Sequence, residues 1–401
     1  AQLYYQFNKQ GLERIEEIVN KEALDCDFKK VDGYLFSYAN EEKNLQNELK
    51  VYQEIGIPGE MTKIDFFDGM ALKVPNQAIF NPLKYLQGLL KILVEQNINI
   101  YVNTKAYKIE NNIVFTDKGK ITADHIIIAT SYPIYPNHNL FFTKLMPSIS
   151  YAVCGKAKVN IPNANYINTK DPTIAIRYYD DLMIISGASH KNKDFRDPHD
   201  RYHFLKNIGK TYFQIEKFDY AWSTRDYTTV DYLPFVGKVD ENIYIATGYG
   251  KWGMTNGVAS SLLIRDIIMK EDTIYKDAFH PYRCVTNKQF WQYTFGMVKT
   301  IIKSKKFYEH LTDINVGEGR IIKFRNKQYG VYRDEDNTVY IADVACTHMG
   351  CGLLFNKIDR TYDCPCHGSK FNYDGKLISG PAKKDLRVIK ITSKEQNEYH
   401  H

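Results

Sequence analysis

Two short boxes of cysteine and histidine decide how the carboxyl-terminal part of this chain folds: Cys346-Thr347-His348-Met349-Gly350-Cys351 and Cys364-Pro365-Cys366-His367-Gly368-Ser369. The first box has the spacing Cys-x-His and the second has the spacing Cys-x-x-His. Two loops with these spacings can present two thiolates to one metal ion and two imidazoles to another. Each box also carries one further cysteine, so the pair supplies four metal-competent side chains and two additional sulfur atoms.

Two simpler interpretations of the boxes are weaker. A structural zinc site uses the same types of ligand, but zinc fingers usually have a wider spacing between their histidines, and zinc leaves Cys351 and Cys366 without a role. A plain disulfide framework leaves both histidines unused. The spacing therefore favours a centre with two metal ions, with zinc as the weaker alternative.

The sequence from about Leu311 to Ile391 resembles the Rieske [2Fe-2S] domains of respiratory and photosynthetic quinol-oxidising complexes. This resemblance implies four cluster ligands: Cys346, His348, Cys364 and His367. It also implies a disulfide between Cys351 and Cys366. Histidine ligands raise the reduction potential of such a cluster, because a neutral imidazole stabilises ferric iron less than a thiolate does. We therefore expect one-electron transfer.

Two further residues bear on the potential of the expected cluster. Ser369 matches the family's serine that donates a hydrogen bond to a bridging sulfide, a contact that favours the reduced cluster. Phe371 stands where the family often has a tyrosine that bonds a ligand sulfur. We therefore expect a potential below that of the quinol-oxidising proteins, within about −150 to +300 mV. Residues 380–382 resemble the proline loop that covers the cluster, although an ordinary surface turn explains them equally well.

Bulk properties limit the class of protein. A chain of 401 residues with 44% hydrophobic residues can form two or three domains, each with its own core. The formal charge of +6 is spread along the chain, which argues against a nucleic-acid partner. The sequence has no apolar run of about 18 to 20 residues and opens with no signal peptide, so we expect a cytoplasmic protein without a transmembrane segment. We expect Cys26, Cys154 and Cys284 to be small buried side chains.

A glycine motif lies upstream of the two boxes. Residues 248–253 satisfy G-x-G-x-x-G, follow a predicted strand at 243–247 and precede a predicted helix at 254–269. A complete dinucleotide-binding unit needs a second parallel strand after the helix, whereas residues 272–283 are polar and interrupted by Pro281. The glycines still permit close backbone approach, and a helix amino end favours negative charge. We expect an anionic or electron-rich group at this motif.

The surroundings of the motif resemble the FAD-dependent oxidoreductases of the D-amino-acid oxidase and glycine oxidase type. Residues 231–237 and 247–255 resemble the carboxyl-terminal flavin segment, Ala129-Thr130 with Pro133 resembles the second flavin-contacting loop, and residues 80–85 resemble a substrate-domain helix. In that family the helix amino end faces the N1 and C2 carbonyl edge of the isoalloxazine. The resemblance implies these flavin contacts: Ala129, Thr130, Gly248, Gly250, Lys251, Trp252, Gly253, Met254 and Thr255.

One feature of the family is missing from the sequence. Its members open with a glycine-rich βαβ unit that holds the adenosine diphosphate half of FAD, and no such unit precedes Ala1. We expect the native protein to be longer. The resemblance therefore implies FAD for the full-length protein and leaves its binding by this chain open.

These patterns predict an α+β fold with three parts. We expect a partial flavoprotein α/β domain with an antiparallel substrate-domain sheet at 1–285, a helical linker at 286–309 and an all-β Rieske domain at 310–395. Helices are predicted at 1–19, from Pro82 onward, at 200–213 and at 288–302. In the helix that begins at Pro82 we expect these residues to be buried: Leu86, Leu89, Leu90, Ile92 and Leu93. In the last helix we expect this face to pack on a flanking domain: Phe290, Trp291, Phe295, Val298 and Ile302. A membrane-surface role is the weaker alternative, because the basic residues Lys303, Lys305 and Lys306 cluster at one end only. Further strands are predicted at 30–38, 71–74, 98–107, 108–116, 121–129, 174–178 and 182–186.

The combination of flavin and cluster predicts a relay. Flavin accepts two electrons together, whereas a [2Fe-2S] cluster passes one at a time. We therefore expect a substrate, an amine or amino acid by family likeness, to reduce FAD. The cluster would then pass the electrons singly to a redox partner protein or a small acceptor. The alternative is a non-catalytic electron carrier or redox sensor on a degenerate flavoprotein scaffold. A ring-hydroxylating oxygenase is weaker, because it needs an additional mononuclear iron site. Candidates for a catalytic base follow from residue type alone: Arg177, Tyr178, His190, His199, His203 and Arg225.

Overall fold

The structure of the protein is a computed structural model that describes residues 1–38, 42–67, 69–134, 141–191, 198–306, 308–309 and 313–392. Its helices are α1 (Gln2–Lys21), α2 (Glu42–Ile55), α3 (Pro82–Glu95), α4 (Phe141–Lys144), α5 (Pro198–Phe213), α6 (Gly253–Met269) and α7 (Lys288–Ser304). The strands before α7 are β1 (Lys29–Phe36), β2 (Glu60–Ile64), β3 (Gly69–Ile79), β4 (Ala106–Glu110), β5 (Ile113–Thr116), β6 (Gly119–Thr122), β7 (Ile126–Ile128), β8 (Leu145–Lys156), β9 (Asn165–Asn168), β10 (Ile174–Tyr179), β11 (Leu182–Lys191), β12 (Phe218–Thr229), β13 (Phe235–Asp240) and β14 (Ile243–Thr247). Those after α7 are β15 (Gly319–Phe324), β16 (Lys327–Arg333), β17 (Val339–Asp343), β18 (Leu354–Asn356), β19 (Thr361–Asp363), β20 (Lys370–Asn372), β21 (Leu377–Ser379) and β22 (Val388–Ile391).

The largest layer is an eight-stranded sheet in the order β12-β8-β11-β10-β9-β1-β3-β2. Its neighbouring strands are antiparallel except β1 and β9, which are parallel. Alternate side chains of β10, such as Ile174 and Ile176, are fully buried, as expected for a strand with one face on a core. Leu205 of α5 joins the same core. This sheet confirms the predicted antiparallel substrate-domain sheet.

A second, three-stranded sheet has the order β13-β14-β7, with β14 parallel to β7. Every residue of β14 is buried, as expected for a strand covered on both faces. Helix α1 packs on α6, where a β-carbon on Gly11 would overlap the carbonyl oxygen of Thr255. Phe7 stacks on Phe279 at 4.1 Å between ring centroids. The predicted amino-terminal helix is confirmed, and this sheet forms the partial α/β layer.

The carboxyl-terminal region consists of two four-stranded sheets, β15-β16-β17-β22 and β18-β19-β20-β21. The pairings within them are antiparallel. Tyr362 is fully buried between the sheets, in a space that depends on Gly330, because a β-carbon there would overlap the Tyr362 ring. The prediction of an all-β carboxyl-terminal domain is confirmed. Its predicted ends at 310 and 395 lie outside the described residues.

Several predicted elements differ in the structure. The strands predicted at 108–116 and 121–129 are each divided, with breaks at 111–112 and 123–125. The strand predicted at 98–107 is wrong except for its last two residues, because Asn97 and Asn103 adopt positive φ values of 57° and 50° and turn the chain at both points. Helix α3 begins as predicted, with Asn81 accepting hydrogen bonds from the backbone N–H groups of Leu83 and Lys84. Its predicted buried face is wrong in part, because Leu86, Leu90 and Leu93 are exposed. The helix packs instead through Tyr85, Gly88 and Leu89.

Helix α7 forms at the predicted place, but of the predicted face only Phe290 packs on the protein. Its buried residues are Tyr293, Met297, Thr300 and Ser304. The residues predicted to pack that are instead exposed are Trp291, Phe295, Val298 and Ile302. Cys26 and Cys154 are buried as predicted, whereas the prediction for Cys284 is wrong, because that side chain is exposed. Within the described residues, none of the helices has the length and apolar character needed to cross a bilayer.

Candidate functional site

Each cysteine–histidine box forms a loop closed by its own backbone. In the first box, the N–H of Cys346 donates to the carbonyl of Cys351 at 2.8 Å, and Gly350 donates back to Cys346 at 2.8 Å. In the second, Cys364 donates to Ser369 at 2.8 Å, and Gly368 donates to Cys364 at 3.1 Å. Gly350 and Gly368 have φ values of 70° and 84°, a conformation that favours glycine at both turns. The two loops therefore have the same construction.

The two loops meet so that the predicted ligands lie together. The rings of His348 and His367 are 5.0 Å apart between centroids and nearly perpendicular. Cys346 and Cys364 are buried and share a hydrogen bond between their sulfur atoms. The sulfur atoms of Cys351, Cys364 and Cys366 lie within 4.8 Å of one another. Cys351 and Cys366 are joined in a disulfide, which leaves Cys364 available to a metal.

The electrostatics of the pocket favour metal ligation. The hydrogen bond from Cys364 lowers the pKa of Cys346 to about 6, and the same contact and burial raise the pKa of Cys364. Burial lowers the pKa of His367 to about 3 and also lowers that of His348, so both imidazoles are neutral at pH 7 as a metal requires. Nδ1 of His348 is buried and has no hydrogen-bond partner among the residues that the structure describes. An orphaned nitrogen beside two sulfur atoms fits a [2Fe-2S] cluster.

Three residues around the boxes pack against the second box or its core. The hydroxyl of Ser369 bonds the sulfur of Cys346 and accepts a hydrogen bond from the N–H of Ala382 at 2.9 Å. Pro381 and Ala382 are buried against the second box, so the tripeptide at 380–382 is part of the packed site. Phe371 is fully buried in the same core.

One face of β12 contacts the carboxyl-terminal domain, mostly at the second box. Tyr227 donates its hydroxyl hydrogen to the carbonyls of His367 at 3.0 Å and Gly380 at 3.3 Å. Arg225 lies against Gly368, where a β-carbon would overlap its side chain. Ser223 donates to Asp359. These three β12 residues alternate along the strand and so share one face.

The linker helix and one loop complete the contact. Sδ of Met297 in α7 lies 2.8 Å from Nε2 of His367. The Tyr132 ring lies 6.3 Å from the His348 ring and 5.4 Å from the Tyr227 ring, between centroids. Burial raises the pKa of Tyr132 and Tyr227 well above the ordinary value, so both phenols stay protonated. The cluster pocket is therefore bordered by aromatic side chains of the larger domain.

The predicted flavin contacts gather at one edge of the three-stranded sheet. Because β7 and β14 are parallel, Ala129 and Thr130 emerge beside Gly248. The hydroxyl of Thr247 donates to the carbonyl of Ser131 at 2.7 Å and ties the two loops together. Gly248 has a φ of 78°, and a β-carbon there would overlap the methyl group of Thr229. The edge is exposed at these residues: Ala129, Thr130, Lys251, Trp252 and Gly253.

Helix α6 begins at this edge without a side-chain cap, so its first backbone N–H groups are available to a ligand. A β-carbon on Gly253 would meet nothing within 4 Å. The side chains of Met254 and Thr255 turn away from the edge: Met254 packs on the core of α1 and α3, and Thr255 donates to Asn8 at 2.6 Å. The surface fits the isoalloxazine end of FAD through backbone groups. The contribution of each residue stays a prediction.

A polar cluster lies beside the glycine motif. The ammonium of Lys251 donates to Ser189, whose hydroxyl lies 3.0 Å from that of Ser150. The backbone N–H of Lys251 donates to the carboxylate of Asp226. Desolvation raises the pKa of Asp226 and lowers that of Lys251. Sequence reasoning missed Asp226, Ser189 and Ser150, because each lies far from Lys251 in the chain and carries no motif of its own.

The candidate bases named from residue type fall in different places. Arg177 is exposed on β10, and Tyr178 donates to the carbonyl of Val159 at 3.1 Å. Nε2 of His190 lies 2.9 Å from the hydroxyl of Tyr151. The other candidates are His199 and His203 on the exposed side of α5 and Arg225 at the second box. The structure does not bring the six residues together.

Comparison with known proteins agrees with the two parts of the fold. A family model for FAD dependent oxidoreductases matches residues 1–267, and one for the Rieske [2Fe-2S] domain matches residues 306–390. YhfW of Bacillus subtilis (strain 168), which bears the name of a Rieske 2Fe-2S iron-sulfur protein, is 32% identical over 412 residues, covering 98% of this chain and 81% of that protein. Cytochrome b6-f complex iron-sulfur subunit 3 of Nostoc is 41% identical over 46 residues, 12% of this chain and 26% of that protein.

Solved structures share the fold of the larger part. Glycine oxidase from Geobacillus kaustophilus superposes with a TM-score of 0.60 at 16% identity, covering 70% of this chain and 82% of its own. L-proline dehydrogenase from P. horikoshii superposes with a TM-score of 0.57 at 17% identity, covering 69% of this chain and 82% of its own. At these identities the likeness concerns the fold alone.

Proposed function

We propose that this protein oxidises an amine or amino acid and relays the electrons through a cluster to a redox partner. The chain belongs to the family of FAD-dependent oxidoreductases and carries a Rieske [2Fe-2S] domain. When bound, FAD takes two electrons from an organic substrate and the cluster passes them on singly. The observation that carries the proposal is the contact of Tyr132 with the ring of His348, because Tyr132 follows directly on the loop of Thr130.

The chain's own residues explain how a flavin ring would be held. The loops after β7 and β14 lie side by side at the carboxyl ends of parallel strands, where open α/β sheets bind their ligands. The uncapped start of α6 offers backbone N–H groups, and the helix dipole stabilises negative charge there. These groups bind without a side chain, which agrees with the glycines at 248, 250 and 253. The proposed contacts are Ala129, Thr130, Gly248, Gly250, Lys251, Trp252, Gly253, Met254 and Thr255.

The polar cluster beside this edge supports an amino acid as the substrate class. An amino acid carries one carboxylate and one amine, and the edge offers one ammonium, on Lys251, and one carboxylate, on Asp226. Charge-assisted hydrogen bonds of this kind fix orientation as well as affinity. We assign Lys251 to the substrate carboxylate and Asp226 to the amine. Glycine oxidase and L-proline dehydrogenase, which share the fold, are named for amino acid substrates.

The proposed cluster ligands are Cys346, His348, Cys364 and His367, with Cys351 and Cys366 as the disulfide that joins the loops. Met297 and Tyr227 cover His367 and exclude water from that side. The acceptor is a redox partner protein or a small electron acceptor. We place the protein in the cytoplasm, because Cys26, Cys154 and Cys284 are free thiols, as is usual in a reducing compartment.

Anaerobic stopped-flow absorbance of the FAD-loaded protein tests the relay. When an amino acid substrate is added, the flavin absorbance is expected to bleach first and the cluster absorbance second. The matched variant Cys364→Ser removes a cluster ligand, so it should retain flavin reduction and lose electron delivery to an added acceptor. A cluster that stays oxidised under excess substrate would refute the relay, and a protein that shows cluster absorption alone would indicate an electron carrier or sensor.

Lys251→Met tests the assignment of the substrate site. Loss of the ammonium is expected to raise KM for an amino acid far more than KM for the corresponding amine, which lacks the carboxylate. Equal effects on both substrates would contradict the assignment. Flavin content, measured by fluorescence after denaturation, controls for loss of FAD.

A further inference from the structure

Helix α7 exposes its most apolar face. The exposed fractions are 51% for Trp291, 64% for Phe295, 53% for Val298 and 58% for Ile302. These residues follow one another at helical spacing and form a single stripe, with the Trp291 and Phe295 rings stacked at 6.0 Å. The opposite face, with Tyr293 and Met297, packs on the protein. An apolar stripe of this size on a surface marks an interaction site.

A row of lysines lies beside the stripe. Lys299 is one helical turn after Phe295, and Lys303 is one turn after Lys299, so both lie next to the apolar residues. Lys288 begins the helix, and Lys305 and Lys306 follow its end, all of them exposed. The sequence contains no aspartate or glutamate between Asp277 and Glu309. The exposed half of α7 is therefore apolar along one line and carries lysines, but no acidic residue, along the next.

Aromatic residues extend the stripe at both ends. Tyr232 is 58% exposed, and its hydroxyl accepts a hydrogen bond from Gln289 in the first turn of α7 at 3.3 Å. Tyr308, also exposed, follows the last turn. Amphipathic aromatic side chains are enriched where protein meets the headgroup region of a bilayer. A shallow groove runs along the helix and is lined by Lys288, Trp291, Gln292, Phe295, Gly296 and Lys299.

We propose that this face of α7 docks on an anionic lipid surface, with the apolar stripe inserted between headgroups and the lysines on lipid phosphates. A helix with aromatic and aliphatic residues on one line and lysines beside them has the composition of interfacial helices. Its 17 residues span about 25 Å, enough to lie along a membrane surface. The lack of acidic residues in the segment favours a partner of uniform negative charge over a protein surface of mixed charge.

Docking in this orientation brings the cluster pocket close to the lipid. Met297 on the buried face of α7 contacts His367, so one helix thickness, about 10 Å, separates the cluster ligand from the membrane. The proposal itself does not depend on the redox function. It requires only that α7 and its packing persist in the protein.

Co-sedimentation with vesicles tests the proposal, using the holoprotein with phosphatidylcholine vesicles and with vesicles that contain phosphatidylglycerol. Binding is expected to the anionic vesicles at low ionic strength, with release at high salt because the lysine attraction is screened. Each of Lys299→Gln and Lys303→Gln is expected to weaken binding about fivefold. Phe295→Glu is expected to weaken it at least about tenfold, since it places a charge in the stripe.

The control is Leu83→Glu, which introduces the same charge at an apolar residue of α3 that is 63% exposed; α3 packs on the core formed with α1. It should bind vesicles like the wild type, and visible circular dichroism of the cluster should be the same for all variants. Absence of binding to anionic vesicles at low salt would overturn the proposal, as would equal binding by Phe295→Glu. A dimer in sedimentation velocity that Phe295→Glu dissociates, without vesicle binding, would assign the face to a second copy of the chain and overturn it as well.

Discussion

The attachment of the carboxyl-terminal domain to the large sheet depends on one mostly buried carboxylate. Asp359 lies between β18 and β19 and accepts hydrogen bonds from Lys370 at 2.6 Å and from Tyr202 at 3.3 Å. Ser223 of β12 also donates to it. The side chains of Asp359 and Lys370 are 14% and 17% exposed. The contact thus joins a residue pair of one domain to two residues of the other.

Asp359→Ala is expected to destabilise the domain by about 3 kcal/mol. Removal of the carboxylate leaves the Lys370 ammonium with Ser223 at 3.4 Å as its nearest hydrogen-bond partner on the large sheet. Breaking a buried ion pair costs about 3 to 5 kcal/mol, and the residual exposure of this pair favours the lower end. The free energy of unfolding is measured by urea titration, with the visible circular dichroism of the cluster as the signal.

A double variant makes the reasoning sharper. Asp359→Ala with Lys370→Met removes the unpaired charge and is expected to be more stable than Asp359→Ala alone. Glu335→Ala is the matched control, because it breaks the ion pair with Arg360, in which both side chains are largely exposed; it should leave the urea midpoint nearly unchanged. If Asp359→Ala behaved like this control, or if the double variant were the least stable, the account of the interface would be wrong.

Three further predictions concern single contacts. Ser369→Ala is expected to lower the reduction potential by about 40 to 90 mV in protein-film voltammetry, since one hydrogen bond of about 1 to 2 kcal/mol to Cys346 is lost. Tyr227→Phe is expected to cost about 1 to 3 kcal/mol in the cluster-monitored unfolding, because the buried carbonyl of His367 loses its donor. Burial alone would raise the pKa of Asp231, but the hydrogen bonds and charge of Arg283 lower it by more, so the net pKa lies below the ordinary value. The stability advantage of the wild type over Asp231→Asn should therefore be full above about pH 4 and decline as the pH falls through the lowered pKa in acid titrations of unfolding. An advantage that did not decline on acidification would contradict this pairing.

Features set by neighbouring residues could be predicted from the sequence. The spacing within the two boxes predicts which side chains meet, and each box closes on itself through its own backbone. Asn81 before Pro82 predicts the start of α3, and the structure has Asn81 as its cap. The glycines after β14 predict an exposed strand-to-helix edge, which the structure also has. In each case the determining contacts lie within a few residues of one another.

Features set by docking could not be predicted in this way. The spacing of Trp291, Phe295 and Ile302 predicts an apolar face for α7, but periodicity does not indicate whether a face meets protein or solvent. The packed face includes Met297, whose partner His367 is distant in the chain. Similarly, the contact of Tyr227 with the second box follows only from where the large sheet places β12. Hydrophobicity alone ranked the faces of α7 in the wrong order, because the domain interface selects for shape and hydrogen bonding as well.

The arrangement gives the cluster pocket two different sides. On the inner side His367 is almost completely buried, beneath Met297 and Tyr227, so no partner reaches it from solvent. On the outer side the tip of the first box exposes Thr347 and Met349, one residue on either side of His348. In the proposed relay electrons enter past Tyr132, which borders the His348 ring, and the acceptor needs a separate exposed side. The inner side is covered by β12 and α7, so we expect the acceptor of the proposed relay to approach at the exposed tip of the first box.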